Sequence, residues 1–114
     1  MKRMIHITAL TILAVFFSCS SSNSNKNIAF KVWGNCEMCK ETIETALKLD
    51  GIVKADWNTE TKQIAITYDT LKIAPLKIHE AIAGVGYDTE LLTGDSTAYA
   101  NLHGCCQYDR KAAK

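Results

Sequence analysis

The chain has 114 residues, a length that suits a single domain, and its formal net charge at pH 7 is +1. The basic residues form no patch, which argues against a nucleic-acid partner. The sequence contains no Ser/His/Asp set, no glycine-rich phosphate loop and no paired carboxylates, so nothing in it indicates an enzyme. It does contain five cysteines, and their chemistry is the question that the sequence raises.

The first residues are typical of a secretory signal peptide. Lys2 and Arg3 precede a mostly apolar stretch, residues 5–17. Such a stretch fits a signal-peptide core of ~7–15 residues and falls short of the ~20 residues that cross a bilayer. We therefore expect this part of the chain to direct export.

The junction that follows resembles the lipobox of bacterial lipoproteins, in which a cysteine becomes the lipidated first residue. Ser18 stands directly before Cys19, although the two preceding phenylalanines depart from the usual pattern. We predict a lipoprotein signal peptide over 1–18, lipidation at Cys19 and a flexible tether over 19–27, whose Ser/Asn-rich sequence buries little apolar surface. The alternative is an ordinary secreted protein with an incidental cysteine.

Beyond the tether, strand-like and helix-like runs alternate. Apolar residues occur at every second position in the strand-like runs and at every third or fourth position in the helix-like runs. The strand-like runs are residues 27–34, 52–58, 62–69 and 87–93, and the helix-like runs are 38–50 and the run that begins at Pro75. This βαββαβ order predicts an α+β, ferredoxin-like domain over 28–92, with a four-stranded antiparallel sheet covered on one face by two helices.

Cys36 and Cys39 lie between the first strand and the first helix. The N–H groups and partial positive charge at a helix N-terminus stabilise thiolates. Thiolates are soft ligands that select Cu(I), Zn(II) and similar ions over Mg²⁺ or Ca²⁺. This position therefore favours two sulfurs that are ready to bind a metal, with Cys36 exposed and Cys39 partly covered.

This pattern resembles the heavy-metal-associated domain of copper chaperones, mercury-binding periplasmic proteins and copper-transporting ATPases. Cys36 and Cys39 match the family's Cys-x-x-Cys, and the Gly-Tyr pair after the second helix matches Gly86 and Tyr87. The resemblance implies a Cu(I) site at the two cysteines, with Zn(II) or Hg(II) as other ions, and a loop supported by Tyr87. The methionine that usually packs under the loop before the first cysteine is absent. Met38 stands between the cysteines instead and is a second candidate for supporting the loop, with simple exposure as the alternative.

The tail, residues 93–114, has no clear period and carries Cys105 and Cys106. Adjacent Cα atoms lie ~3.8 Å apart, closer than the usual range of ~4.4–6.8 Å for a disulfide, so a bridge between these two would be strained. Two free thiols, disulfides to Cys36 and Cys39, and a joint metal site that includes His103 all remain open.

Two other interpretations of the Cys-x-x-Cys pair deserve comparison with metal binding. A thiol-disulfide oxidoreductase of the thioredoxin type would have a proline opposite the cysteines, whereas the single proline, Pro75, begins a helix. A purely structural disulfide is compatible with an oxidising compartment. We expect a membrane-anchored, extracytoplasmic metal carrier that serves a heavy-metal efflux or transport protein of the envelope. His79, on the second helix, is expected at the solvated surface.

Overall fold

The computed structural model describes residues 24–111. The predicted signal peptide, Cys19 and most of the tether lie outside the described residues, as do residues 112–114. No helix between residues 24 and 111 is long and apolar enough to cross a membrane. The described elements are β1 (Asn25–Lys31), α1 (Glu37–Ala46), β2 (Ile52–Trp57), β3 (Gln63–Asp69), α2 (Pro75–Gly84), α3 (Ser96–Ala100) and a 3₁₀ turn, Gly104–Cys106.

The three strands form an antiparallel sheet in the order β1-β3-β2. The central strand, β3, places Ile66 opposite Ile28 of β1 and Ile64 opposite Phe30. Because β1 begins at Asn25, the last three residues of the predicted tether are part of the sheet.

One face of this sheet joins the apolar stripes of α1 and α2 in a single core. The period-two and helical patterns place the expected residues there, and the sequence-based prediction of these elements is confirmed. The buried members from the sheet, the two helices and the residues directly after β1 and α1 are Phe30, Val32, Trp57, Ile64, Ile66, Tyr68, Cys39, Ile43, Leu47, Ile78 and Ile82. Pro75 occupies the start of α2, where its missing N–H leaves no helical hydrogen bond unmade.

The prediction of a fourth strand is wrong for the described residues. Residues 87–93 contribute one isolated bridge, between Thr89 and Val32. The Thr89 N–H donates to the Leu92 carbonyl at 2.8 Å, and the Thr89 hydroxyl accepts from the Leu92 N–H at 3.0 Å. The Lys31 N–H donates to a carboxylate oxygen of Glu90. A local turn built on a threonine hydroxyl therefore replaces the strand ladder.

His79 is buried, so the prediction of a solvated surface residue is wrong. Its ring stacks on Phe30 with centroids 3.9 Å apart, and its Nδ1 lies 2.7 Å from the Thr89 hydroxyl. Burial lowers the pKa of His79, while the nearby Glu90 carboxylate acts in the opposite direction. The ring thus helps fix residues 87–93 against the sheet.

The chain after α2 folds back over the domain, a point that the sequence left open. We call residues 94–111 the C-terminal segment. Its attachment centres on Asp88, which is completely buried. The Asp88 carboxylate accepts hydrogen bonds from the Arg110 guanidinium at 2.9 Å, the Gly94 N–H at 2.7 Å and the Lys111 N–H at 2.9 Å. Burial would raise the pKa of Asp88, but these donors outweigh it and hold that pKa below its ordinary value.

A tyrosine of the same segment completes the attachment. The Tyr108 hydroxyl donates to the Gly86 carbonyl at 2.6 Å and accepts from the Asp88 N–H at 2.8 Å. Its ring stacks on Tyr87 and meets the edge of Tyr99. Gly86 has a φ of +99°, and a Cβ there would lie 2.7 Å from the Tyr99 nitrogen. Glycine is therefore required both by the backbone conformation and by the approach of α3.

We expect Tyr108→Phe to lower the free energy of unfolding by about 1–3 kcal/mol, because the buried N–H of Asp88 and carbonyl of Gly86 lose their partner. Urea denaturation of the metal-free, reduced protein measures this. The control is Asp109→Ala, at an exposed neighbouring position, for which we expect a change within about 0.5 kcal/mol. Equal stability of Tyr108→Phe and the unaltered protein would show that the segment is not part of the cooperative fold.

Candidate metal site

Cys36 and Cys39 are placed by the first turn of α1. Cys36 is the N-cap residue, with an extended backbone, and Cys39 lies one turn in, on the buried stripe with Ile43. Cys36 is partly exposed and Cys39 is fully buried. The Asn35 N–H points back to the Cys39 sulfur at 3.4 Å. The loop thus presents one sulfur toward solvent and holds the other within the core.

A tryptophan supports the loop from below. Trp57 is fully buried, and its indole N–H donates to the carbonyls of Val32 and Lys62 at 3.1 and 3.2 Å. A Cβ on Gly34 would lie 2.9 Å from the ring and 3.4 Å from the Cys39 Cβ, so a larger residue there would displace one of them. The Lys62 ammonium donates to the Asn35 carbonyl at 3.1 Å and brings a positive charge to the loop.

The 3₁₀ turn of the C-terminal segment packs against this loop. The Asn35 side-chain amide donates to the Cys105 carbonyl at 3.2 Å, and the Cys36 thiol points to the same carbonyl at 3.7 Å. As a result the sulfurs of Cys36, Cys39 and Cys106 all lie within 4.8 Å of one another. We call these three residues the thiol cluster. All four described cysteines are free thiols, so no disulfide joins them.

The remaining predicted site residues lie around the thiol cluster rather than in it. Cys105 is exposed; its sulfur lies 3.8 Å from that of Cys106 and 3.4 Å from the thioether of Met38. Met38 is 44% exposed and therefore does not pack beneath the loop. His103 caps the 3₁₀ turn and does not belong to the cluster. Tyr87 is fully buried behind the site, and its hydroxyl has no hydrogen-bond partner among residues 24–111.

The thiols differ in their electrostatic surroundings. The backbone N–H groups of Met38 and Cys39, at the start of α1, lower the pKa of the Cys36 thiol without forming a full capping bond. Burial raises the pKa of Cys106 to about 12, and the neighbouring Cys39 and Cys105 thiols add to the shift. Burial also raises the pKa of Tyr87 well above its ordinary range, with the Cys39 thiol as the next cause. The start of α1 thus favours the thiolate form of Cys36.

Sequence reasoning missed the residues that position Cys106. Asp88, Tyr108 and Arg110 form the attachment, and none of them belongs to a recognisable motif. One signal was available, because Asp95 precedes Ser96 in the manner of a helix cap, and its carboxylate does accept from the Ala98 N–H at 2.8 Å. Apolar and aromatic residues after that cap were also compatible with a packed segment.

Comparison with known proteins identifies the architecture. The model of the heavy-metal-associated domain matches residues 35–88. The copper chaperone CopZ of Staphylococcus aureus (strain JH9) is 40% identical over 55 residues, which cover 47% of this chain and 81% of that protein.

Solved structures agree. A CopZ metallochaperone aligns with a TM-score of 0.55 and 36% identity, over 56% of this chain and 98% of its own. Oxidized MerP from Ralstonia metallidurans CH34 aligns with a TM-score of 0.55 and 31% identity, over 58% of this chain and 94% of its own. The family match ends before the C-terminal segment begins.

In the metal-free, reduced protein at pH 7, we expect iodoacetamide to modify Cys36 well before Cys106. The lowered pKa of Cys36 means that its reaction rate reaches a plateau at a lower pH than that of an unfolded cysteine, whose pKa is about 8.5. Cys106 is buried and protonated at this pH. Peptide mapping by mass spectrometry over time measures both rates. In urea the two cysteines should react alike, and equal rates in the folded protein would contradict the arrangement.

Proposed function

The chain belongs to the heavy-metal-associated domain family, and from this premise we propose that it binds a soft metal ion, most favourably Cu(I), through Cys36 and Cys39. The bound ion is cargo, which the protein captures and passes to a partner. Zn(II) and Hg(II) are the other ions that two thiolates suit.

One observation carries the proposal: the Cys36 and Cys39 sulfurs lie within 4.8 Å of each other at the N-terminus of a helix. A linear two-thiolate ion with metal–sulfur bonds of about 2.3 Å spans about 4.6 Å between sulfurs. The partial exposure of Cys36 lets an incoming thiolate reach the ion, so transfer can proceed by ligand exchange. The copper chaperone among the relatives supports Cu(I) as the cargo.

The rival function is thiol-disulfide exchange by the same pair. The two CopZ proteins named above are described as a copper chaperone and a metallochaperone, and neither is described as an oxidoreductase. Cys39, the would-be resolving thiol, is fully buried. Catalytic reduction of a small disulfide by the reduced protein, with many turnovers per chain in the presence of a thiol reductant, would favour the rival. We expect no turnover beyond the stoichiometric reaction of its own thiols.

The test is an anaerobic titration with Cu(I) in competition with a chelator. Every sample carries Cys19→Ser, so that neither lipid nor the fifth thiol contributes. We expect the unaltered site to bind one ion per chain, and Cys36→Ser/Cys39→Ser to weaken binding on the order of a hundredfold or more, because loss of even an outer partner of a metal ligand costs about 10–100-fold.

The matched control for this titration is Cys105→Ser, which removes a thiol outside the thiol cluster and should bind like the starting protein. Failure of the starting protein to bind Cu(I) would contradict copper as the cargo. If the starting protein failed to bind Zn(II) and Hg(II) as well, metal carriage would be contradicted altogether.

The location and the partner are a second part of the proposal. A lipid on Cys19 would anchor the domain outside the cytoplasm, in the cell envelope, where the recipient is a heavy-metal efflux or transport protein. The support is the sequence of residues 1–19, which lies outside the described part of the structure.

We expect the full chain to sediment with membranes when it is expressed in a bacterium that processes lipoproteins, because acyl chains at Cys19 hold it there. Cys19→Ser should move the protein to the soluble fraction after signal cleavage or leave an unprocessed precursor. Gel mobility separates the processed protein from the unprocessed precursor, and fractionation measures how much protein is bound to membranes. If the parent chain were found in the soluble fraction, as expected for Cys19→Ser, the lipid anchor would be contradicted.

A further inference from the structure

Cys106 stands apart from the matched family region. It belongs to the C-terminal segment, beyond residues 35–88, and yet its sulfur completes the thiol cluster with Cys36 and Cys39. It is 2% exposed, so the segment carries this thiol into the interior rather than to the surface.

The turn that presents Cys106 is held on both sides. On the loop side, the Asn35 amide binds the Cys105 carbonyl at 3.2 Å, and the Cys39 thiol points to the Cys106 carbonyl at 4.0 Å. Within the turn, the Cys106 N–H donates to the His103 carbonyl at 2.7 Å. Two residues farther on, Tyr108 is fixed by Gly86 and Asp88. The third sulfur is therefore positioned before any metal arrives.

We propose that Cys106 is a third thiolate ligand, so that the protein holds its metal ion in a trigonal three-sulfur site closed by the C-terminal segment. This inference rests on the proposed function. Three sulfurs at about 2.3 Å from a central ion in a plane are separated by about 4.0 Å. The observed upper bound of 4.8 Å requires only small side-chain adjustments to reach that geometry. Soft ions such as Cu(I) accept thiolate ligands of this kind.

A buried cysteine also serves as a small apolar residue, and this is the competing explanation for Cys106. Cys105 provides the contrast, because it lies on the same turn, is exposed and is outside the cluster. If Cys106 only filled space, its replacement would change stability without changing the metal's surroundings. If Cys106 is a ligand, its replacement must lower both the number of sulfurs bound to the ion and the affinity for the ion.

A three-sulfur site changes how the ion leaves. The segment covers Cys39 and Cys106, whereas Cys36 keeps partial exposure. An incoming thiol forms one metal–sulfur bond as the bond to Cys36 breaks, and its proton passes to the released Cys36 thiolate. Cys106 keeps the ion on the protein during this exchange. The partner must then displace two further thiolates, so release is slower than from a site with two.

The test combines X-ray absorption spectroscopy with Cu(I) competition on the full chain in the Cys19→Ser background, in thiol-free buffer. The Cu(I)-loaded parent should show three sulfur neighbours, Cys106→Ser two, and Cys105→Ser three. Cys106→Ser should also weaken Cu(I) binding on the order of tenfold or more and speed release to the chelator, with Cys105→Ser unchanged. Thermal unfolding of the metal-free variants, with Cys106→Ala as a second substitution, reports whether the fold is kept.

The outcomes separate this inference from the proposed function. A parent that binds Cu(I) tightly with two sulfurs overturns the three-sulfur site and leaves metal carriage standing. Three sulfurs that persist in Cys106→Ser assign the third to another donor, such as Met38 or a second chain, and also overturn it. A parent that binds no Cu(I) overturns both. Should Cys106→Ser fail to fold, the sulfur count in Cys106→Ala decides between Cys106 and another donor.

Discussion

The buried carboxylate of Asp88 is the interaction on which the arrangement of the site depends. It lies just after α2 and accepts from Gly94, Arg110 and Lys111, which mark the start and the end of the C-terminal segment. An unpaired buried carboxylate is costly, and removal of one partner from a buried charge pair costs about 3–5 kcal/mol. The hydrogen bonds that satisfy this buried charge therefore also hold the segment against the domain. Closure places the 3₁₀ turn against the Cys36–Cys39 loop.

The two cysteines of the loop depend on a different constraint, which is steric. Trp57 fills the space beneath the loop, and Gly34 leaves room for its ring. The indole N–H is satisfied by backbone carbonyls on both sides, so the ring cannot shift without loss of two hydrogen bonds. This packing occupies the position beneath the loop while Met38 remains at the surface beside Cys105. The exposed thioether of Met38 and the exposed thiol of Cys105 contact each other outside the thiol cluster.

Local patterns predicted the parts of the fold that local physics determines. Alternation identified β1, β2 and β3, and the position of Cys36 at a helix N-terminus predicted its lowered pKa. The fourth strand could not be excluded from sequence, because the hydroxyl of Thr89 decides between ladder and turn, and its partners are visible only in three dimensions. For the same reason, the burial of His79 was predicted wrongly and the role of Cys106 was left open. Their burial results from long-range contacts with Phe30 and with the loop, which no periodicity within α2 or the tail encodes.

The direction of β1 sets how far the Cys36–Cys39 loop lies from the start of the domain. The strand runs from Asn25, whose end of the sheet adjoins Thr70, to Lys31, after which the chain enters the metal loop at the opposite end. Seven residues of strand extend about 23 Å. A chain fixed to a bilayer at Cys19 would have six residue steps before β1, which reach at most about 22 Å when extended. Such a tether would hold the start of β1 close to the lipid surface, and the Cys36–Cys39 loop lies at the other end of that strand.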